Sequence, residues 1–274
     1  EYRGSNKIIY LDRGFSPNPY DKDRTFSLDT IPQEYQGFGN GDFRVPAYQV
    51  KLENGTRISD LRYSGYKVFK GKRGLVGLPS TYGNDDECDT LEIYLEDKII
   101  GLKVILTYSV FNELDVITRS VKFINEGAED LRLLRALSMS IDFRDDDFEM
   151  ITLYGAHNNE KNIERRKIVS GIQMVESTRG ASSPHQAPFV ALVRKDTNED
   201  TGEVYAFNFV YSGNFTAQVQ VDQYRNTRVA MGINPFDFSW LLKQGEEFQT
   251  PEVVMIYSNK GIGEMSRKFH NLYI

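Results

Sequence analysis

The sequence predicts an all-β protein built from two large stacked antiparallel sheets, with one short helix near its C-terminal end. Three observations support this fold class. Short runs that alternate apolar with polar residues recur along the chain, as in Arg228 to Ile233. Turn signals such as Asn54-Gly55 separate these runs at distances that suit hairpins rather than βαβ units. Aromatic residues make up 12% of the chain, and the many Tyr and Phe favour strands.

The first predicted element is an extended loop over 1–35, because this stretch has little periodic pattern and is rich in Pro, Asn and Asp. From Ala47 onward strands follow one another closely. The first series of predicted strands covers 47–52, 59–69, 90–96, 102–111, 116–125, 131–142 and 150–156. A second series covers 189–194, 203–211, 217–221 and 228–233, with further strands up to Ser258. A dozen or more strands suit two large sheets.

The last predicted element is a short amphipathic helix over 262–272. Its apolar residues Ile262, Met265, Phe269 and Leu272 are spaced at i, i+3, i+7 and i+10, which places them on one helical face. A helix of this kind at a chain end typically docks on its own domain. No low-complexity stretch and no repeat of fixed period interrupts the chain, so we expect a single domain over 1–274.

Composition and charge exclude several classes of function. A chain of 274 residues with 40% apolar residues can bury a sizeable core, so a disordered protein is not expected. The formal net charge is −6 and the Lys and Arg residues are scattered, so we expect no nucleic-acid partner. No apolar run approaches the roughly 20 residues that span a bilayer, and no signal sequence precedes the fold. We therefore expect no membrane association and a cytoplasmic location.

Residues that bind metals or act as nucleophiles are few. His157, His185 and His270 lie far apart in the sequence and lack the paired spacing of a zinc site, so we expect no metal and no cofactor. The single cysteine, Cys88, cannot form an internal disulfide. Its acidic neighbours raise the pKa of a thiol, which predicts an inert side chain at a strand edge.

Longer motifs run through most of the chain. Near the C-terminal end they are SGNF at 212–215, GINPFDFSWLL at 232–242 and GEEFQTPEVVMIYS at 245–258. Earlier ones are FSLD at 26–29, PQEY at 32–35, GNGDFRVPAYQV at 39–50, LEIYLED at 91–97, DVITRSVKFIN at 115–125 and RGASS at 179–183. Together these motifs resemble the N-terminal domain of family 36 glycoside hydrolases, the microbial α-galactosidases.

This resemblance implies a galactose mutarotase-like β-supersandwich that is itself non-catalytic. In the family, the nucleophile and the acid/base are aspartates on a (β/α)₈ barrel that follows the N-terminal domain. The helix over 262–272 would then connect to that barrel, which the 274 residues lack. The implied partners are the downstream barrel, further copies of the chain in a homo-oligomer, and an α-galactoside of the melibiose or raffinose type at the domain edge.

The residues themselves offer no catalytic pair. Glycoside hydrolysis needs two carboxylates that face each other across a sugar, one protonated and one ionised. The densest acidic cluster, 142–149, is interrupted by Phe143 and Phe148 and follows a predicted strand, so we interpret it as a solvated turn. We therefore expect no catalytic residue here and no hydrolysis of an aryl α-galactoside by this chain alone.

Three residues are candidates for substrate binding. The resemblance implies that Arg13 presents its guanidinium toward a sugar pocket, and a planar guanidinium suits paired hydroxyls. Asp42 and Arg44 lie two residues apart and so share one face of an extended segment, while glycines on both sides of Asn40 permit a tight loop. The alternative for Asp42 and Arg44 is an intramolecular ion pair that anchors this loop. His185 lies in a loop whose Pro-His-Gln-Ala order departs from the family pattern.

One alternative function is a stand-alone sugar-processing enzyme of the mutarotase type, because the supersandwich fold is shared with mutarotases. Fold alone is a weak argument for activity. Such an enzyme would need His157 or His185 to meet Glu149 or Glu164, and no spacing in the sequence indicates that they do.

A second alternative is a carbohydrate-binding module, which would need exposed aromatic residues that stack on sugar faces. Trp240 alternates with Phe236 and Phe238 as the residues of a core face do. The sequence therefore predicts a buried tryptophan and weak or absent sugar binding.

Overall fold

Two large antiparallel β-sheets pack face to face, and one helix covers the outer side of the larger sheet. The computed structural model describes residues 3–4, 7–8, 28, 32–182 and 184–274. The predicted fold class, all-β with two large antiparallel sheets and a short C-terminal helix, is confirmed. The extended loop predicted over 1–35 lies largely outside the described residues.

The elements follow in chain order. The strands are β1 (Arg3–Gly4), β2 (Lys7–Ile8), β3 (Tyr48–Lys51), β4 (Arg62–Lys70), β5 (Cys88–Asp97), β6 (Leu102–Phe111), β7 (Val116–Asn125), β8 (Leu131–Phe143), β9 (Glu149–Ala156), β10 (Asn159–Lys167), β11 (Gly171–Glu176), β12 (Gln186–Val193), β13 (Val204–Phe209), β14 (Phe215–Val221), β15 (Thr227–Ile233), β16 (Trp240–Leu242), β17 (Glu247–Gln249) and β18 (Val253–Ser258). The helix is α1 (Gly261–Tyr273). β1 and β2 pair with each other.

The larger sheet has ten strands. Their order from edge to edge is β10, β9, β12, β13, β18, β7, β6, β5 and β4, and β17 also pairs with β7. The smaller sheet has six strands in the order β11, β14, β15, β8 and β16, and β3 also pairs with β8. The long strand β8 pairs with β16 and β3 along its first half and with β15 along its second half. It therefore brings the segment before β3 close to β15.

Several central strands of the larger sheet are buried on both faces. In β18, Val253 and Met255 face the core between the sheets, while Val254 and Ile256 face the helix. β12 shows the same division, with Val190 on the inner side and Ala191 on the outer side. Strands covered on both faces are uniformly apolar rather than alternating, which explains runs such as FVALV and VVMI.

Helix α1 docks on this outer face. Met265 and Phe269 are buried against Ile256 and the neighbouring strands, and the rings of Phe189 and Phe269 lie 6.0 Å apart. The predicted helix over 262–272 is therefore confirmed, one residue longer at each end. Gly261 begins the helix with φ +78°, and a Cβ there would meet the Asn198 carbonyl oxygen at 2.5 Å, so only glycine fits.

The predicted strands are all present, whereas β10 and β11 were not predicted. β10 reads NEKNIERRK and nearly every side chain in it is polar, so its sequence carries no apolar alternation. It forms because β9 offers it a hydrogen-bonding partner at the edge of the larger sheet. Charged side chains on an edge strand also oppose pairing with a further chain.

The prediction that Trp240 is buried is wrong. Its side chain is 47% exposed and that of Phe236 is 69% exposed, whereas Phe238 packs partly against the core. β16 has three residues and lies at an edge of the smaller sheet, so only Leu242 reaches the interior. One side of the Trp240 ring packs against the Phe248 ring, with ring centroids 5.1 Å apart.

Candidate functional site

The candidate site is the loop over 36–46, which precedes β3 and contains two of the three predicted binding residues. Backbone hydrogen bonds close its base, from Phe38 N to Tyr48 O at 3.1 Å and from Ala47 N to Gln36 O at 2.9 Å. Gly39 and Gly41 have φ values of +87° and +82°, which L side chains rarely adopt. The glycines therefore permit the tight loop that the sequence predicts around Asn40.

A cluster of five buried charged side chains lies under this loop. They are Asp42, Arg44, Asp142, Asp222 and Arg228, called here the buried charge cluster, and each side chain is at most 4% exposed. Arg44 Nη2 lies 2.8 Å from Asp42 Oδ2, and Arg228 Nη2 lies 2.9 Å from the same oxygen. Arg228 Nε donates to Asp142 Oδ1 at 2.6 Å. One carboxylate of the loop is thus held by two guanidiniums.

Further contacts tie the cluster to both sheet and loop. Arg44 Nη1 lies 3.4 Å from Asp142 Oδ2 and 3.6 Å from Asp222 Oδ2. Arg228 also donates to the carbonyl oxygen of Val45 at 3.2 Å, and the backbone N–H of Val45 donates to Gln220 Oε1 at 2.7 Å. The loop is therefore fixed through side chains and backbone at once.

Two groups of the cluster, Asp42 and Arg228, are stabilised in their charged forms. Burial by itself would raise the pKa of the Asp42 carboxyl, but the hydrogen bonds and charges of Arg44 and Arg228 outweigh it and hold that pKa below its ordinary value. Burial would likewise lower the pKa of the Arg228 guanidinium, but Asp142 and Asp42 raise it. Because a buried charge is costly unless it is paired, these contacts hold the loop in one arrangement.

The structure brings Asp42 and Arg44 together in the ion pair that was the alternative to substrate binding, and both side chains point inward. Their role in substrate binding stays a prediction, and both side chains are buried. Arg13 lies outside the described residues, and its role also stays a prediction.

The interpretation of 142–149 as a solvated turn is wrong for two of its members. β8 continues to Phe143, and Asp142 lies directly opposite Arg228 of β15. Phe148 is 2% exposed and packs edge to face against Phe143. Long-range strand pairing, which the local sequence does not reveal, buries this carboxylate.

Sequence reasoning also missed Arg228 and Asp222. A signal for Arg228 was present, because it stands in the strand TRVAMGI among residues that are otherwise apolar or small. An arginine in such a strand requires a buried acidic partner.

The outer side of the loop presents aromatic side chains. Phe43 is 81% exposed and Phe38 is 43% exposed, although the residues on either side of Phe43 are buried. The segment of Ile58 supports the loop, since a Cβ on Gly39 would meet Ile58 Cγ1 at 3.3 Å and the Asn40 amide donates to the carbonyl oxygen of Ser59. A large apolar ring is thus exposed to solvent at a position whose two neighbours are buried and ion-paired.

The other predicted site residues are not brought together. Glu149 pairs with Arg165, and Glu164 contacts Thr152 and Arg166. His185 lies beside the guanidinium of Arg179, with Nδ1 and Nη1 2.6 Å apart, and is exposed. The described residues show no contact between these glutamates and either histidine of the mutarotase hypothesis.

Among the described residues, no three His, Cys, Asp or Glu side chains are grouped so that they could hold a metal ion. Within the same part of the chain, no helix has the length and apolar character that crossing a membrane requires. Cys88 is buried at the start of β5, and its burial, more than the nearby carboxylates, raises the thiol pKa.

The sequence matches the family described as the glycosyl hydrolase family 36 N-terminal domain over residues 6–243. This chain belongs to that family. The family 36 domain is 57% identical to alpha-galactosidase AgaA of Geobacillus stearothermophilus over all 274 residues. It is 46% identical to alpha-galactosidase Mel36A of Lactobacillus acidophilus over 99% of its length. The chain spans 38% and 37% of these two relatives.

Solved structures agree with this assignment. A variant of AgaA in complex with raffinose is 58% identical, matches 99% of this chain and 38% of that chain, and has a TM-score of 0.90. The alpha-galactosidase from Lactobacillus brevis is 40% identical, with coverage of 97% and 36% and a TM-score of 0.90. In these relatives the family 36 domain is the N-terminal part of a longer protein.

Proposed function

We propose that this chain is the non-catalytic N-terminal domain of an α-galactosidase, and that a following catalytic part hydrolyses terminal α-galactosides of the melibiose or raffinose type. The main support for the proposal is that this chain matches AgaA along all of its 274 residues but covers only 38% of AgaA. The domain then serves to pack on the catalytic part and to shape the substrate pocket.

The loop over 36–46 is the part of the domain that we propose to reach the substrate pocket. The buried charge cluster supports this role, because a rigid base allows a side chain to contact a ligand without a large entropic cost of ordering. Phe43 is the exposed ring at the tip of this base. It offers an apolar face to a sugar, while Asp42 and Arg44 keep the loop in place.

We further propose that the complete enzyme is a homo-oligomer in the cytoplasm. The family resemblance supports oligomerisation, and the single buried thiol of Cys88 is compatible with a reducing compartment. Light scattering on the full-length protein would give its mass, and a monomer would contradict the proposal.

The first prediction concerns catalysis. We expect the 274 residues alone not to hydrolyse an aryl α-galactoside, and we expect activity when they replace the matching N-terminal part of AgaA in a chimeric protein. The measurement is release of the aryl alcohol by both proteins at equal concentration. Hydrolysis by the isolated chain, or an inactive but folded chimera, would contradict the proposed function.

The same chimera tests the loop. Phe43→Ala is expected to lower kcat/KM for raffinose by roughly 5–30-fold, because losing the burial of a phenyl ring costs about 1–2 kcal/mol. Ile99→Ala is the control, since Ile99 is 93% exposed in the turn between β5 and β6. Equal kcat/KM values for the two variants would show that the loop does not contact the substrate.

A sugar-stacking surface on the isolated chain is a second candidate function, favoured by the exposure of Phe236 and Trp240. Trp240 is the only tryptophan, so its fluorescence reports on this surface directly. If the surface binds sugars, melibiose and raffinose should shift the emission in a saturable way and Phe236→Ala should weaken the response. An unchanged spectrum up to high sugar concentration would remove this candidate.

A further inference from the structure

A large cavity lies at the C-terminal end of helix α1. It has a volume of about 790 Å³. Its walls come from the loop between β4 and β5, the turn between β6 and β7, and the last turn of the helix. The apolar part of the wall is formed by Tyr82, Phe111, Leu114, Val210, Leu272 and Tyr273. Neither the buried charge cluster nor the loop over 36–46 contributes to it.

A buried ion pair fixes the loop over 71–87 that forms one wall. Lys72 Nζ lies 2.8 Å from Glu252 Oε2, and the two side chains are 5% and 2% exposed. Lys72 also donates to the carbonyl oxygen of Thr81 at 2.8 Å, and the Thr81 N–H donates to Glu252. The next residue, Tyr82, is nevertheless 87% exposed. The buried Lys72–Glu252 pair, whose desolvation costs free energy, thus orders the loop, while the Tyr82 ring faces solvent.

The helix end forms the opposite wall and is equally well ordered. The Tyr273 ring stacks on Phe269, and its hydroxyl donates to Asn208 Oδ1 at 2.6 Å. Burial of this hydroxyl, and secondarily the Glu252 carboxylate, raises the Tyr273 pKa. The ring itself remains 47% exposed. Each wall therefore holds an aromatic ring in a fixed position. Tyr273 is about half exposed, and Tyr82 is almost fully exposed.

The rim of the cavity is acidic. Asp86, Glu87 and Glu113 line it and are exposed. In the described part of the chain, none of these three carboxylates forms an ion pair, and no basic residue lines the cavity. Such a surface favours an occupant that carries apolar side chains together with Lys or Arg.

We propose that this cavity receives the polypeptide that follows the position of Ile274 in longer α-galactosidases of this family. The inference rests on the proposed function. Ile274 lines the cavity, and the AgaA relative matches all of this chain and is about 2.6 times as long, since the chain covers 38% of it. Because Ile274 lies at the cavity, the residues that follow this position in the longer proteins begin there. They insert apolar side chains between Tyr82 and Tyr273 and basic ones against the acidic rim.

Photo-crosslinking in the AgaA chimera tests the proposal. We replace Tyr82 with p-benzoylphenylalanine, irradiate, and identify the linked peptides by mass spectrometry. We expect a crosslink to the part of the chimera that follows residue 274. The control carries the same photoreactive residue at Ile99, which is 93% exposed and lies outside the cavity walls. It is expected to give no such crosslink.

A second variant tests the proposal by thermal stability, and the isolated chain shows whether the substitution disturbs the fold itself. Glu113→Lys places a like charge against the expected basic residues, so it should lower the melting temperature of the chimera by several degrees and leave that of the isolated chain unchanged. Crosslinks confined to residues 1–274, or the same yield from both positions, would overturn the proposal. Hydrolysis by a chimera that lacks the crosslink would reject the docking site alone, whereas a crosslinked but inactive chimera would reject the proposed function alone.

Discussion

Replacing Arg228 with methionine is expected to lower the free energy of unfolding by about 3–5 kcal/mol, because it leaves three buried carboxylates with Arg44 as the one remaining guanidinium of the cluster. Arg228 is 1% exposed and donates to Asp42 at 2.9 Å and to Asp142 at 2.6 Å. Methionine keeps much of the side-chain volume, so the loss comes mainly from uncompensated charge rather than from a cavity. Urea denaturation of the 274-residue chain, followed by far-ultraviolet circular dichroism, measures the effect.

Arg225→Met is the matched control. Arg225 lies three residues away and also pairs with an aspartate, Asp146, at 2.9 Å, but its side chain is 79% exposed. Exposed pairs contribute about 0–1 kcal/mol, so this variant should unfold almost as the parent does. If both variants lose the same stability, the buried charge cluster does not hold the loop.

Lys72→Met is expected to have the second large effect, again about 3–5 kcal/mol, because it leaves the Glu252 carboxylate buried with no cation. Glu252 keeps only the Thr81 N–H as a donor from the loop over 71–87. The loop should therefore open more often than in the parent. Limited proteolysis, with cleavage sites identified by mass spectrometry, should show faster cutting within 73–86, and urea denaturation should show the loss of stability.

Lys70→Met provides the comparison for that variant. Lys70 precedes Lys72 by two residues and pairs with Asp89 at 2.8 Å, but the two side chains are 66% and 37% exposed. The expected change is below about 1 kcal/mol, and the rate of cleavage in the loop should stay at the parent value. Faster cleavage in Lys70→Met than in Lys72→Met would contradict the anchoring role of the Lys72–Glu252 pair.

Most of the fold could be predicted from the sequence, because local patterns carry it. The meander of β5, β6 and β7 is an example, since its alternating side chains and tight turns specify strands and pairing together. The helix is another, since Met265 and Phe269 mark its buried face. β10 could not be predicted, because a charged edge strand is stabilised by its neighbour's hydrogen bonds and not by its own side chains.

The candidate site was predictable only in part. The ion pair of Asp42 and Arg44 was one of two alternatives that the sequence left open, and their spacing along an extended segment was enough to propose it. The three other members of the cluster lie about 100 to 186 residues further along the chain, as the Asp42–Arg228 contact shows. No local spacing reveals such a contact. Trp240 is a similar case, because an edge position rather than the alternation of its neighbours decides its exposure.

The sequence by itself determined that this chain is an all-β domain with a docked terminal helix, and its motifs indicated family 36. These properties follow from residue periodicity and short motifs, which act over a few residues. The tertiary structure alone decided which charges are buried, which aromatic rings face solvent, and where the large cavity lies. These properties depend on which strands meet across the sheets, and the free energy of a charge or an apolar ring is set by the groups that surround it after folding.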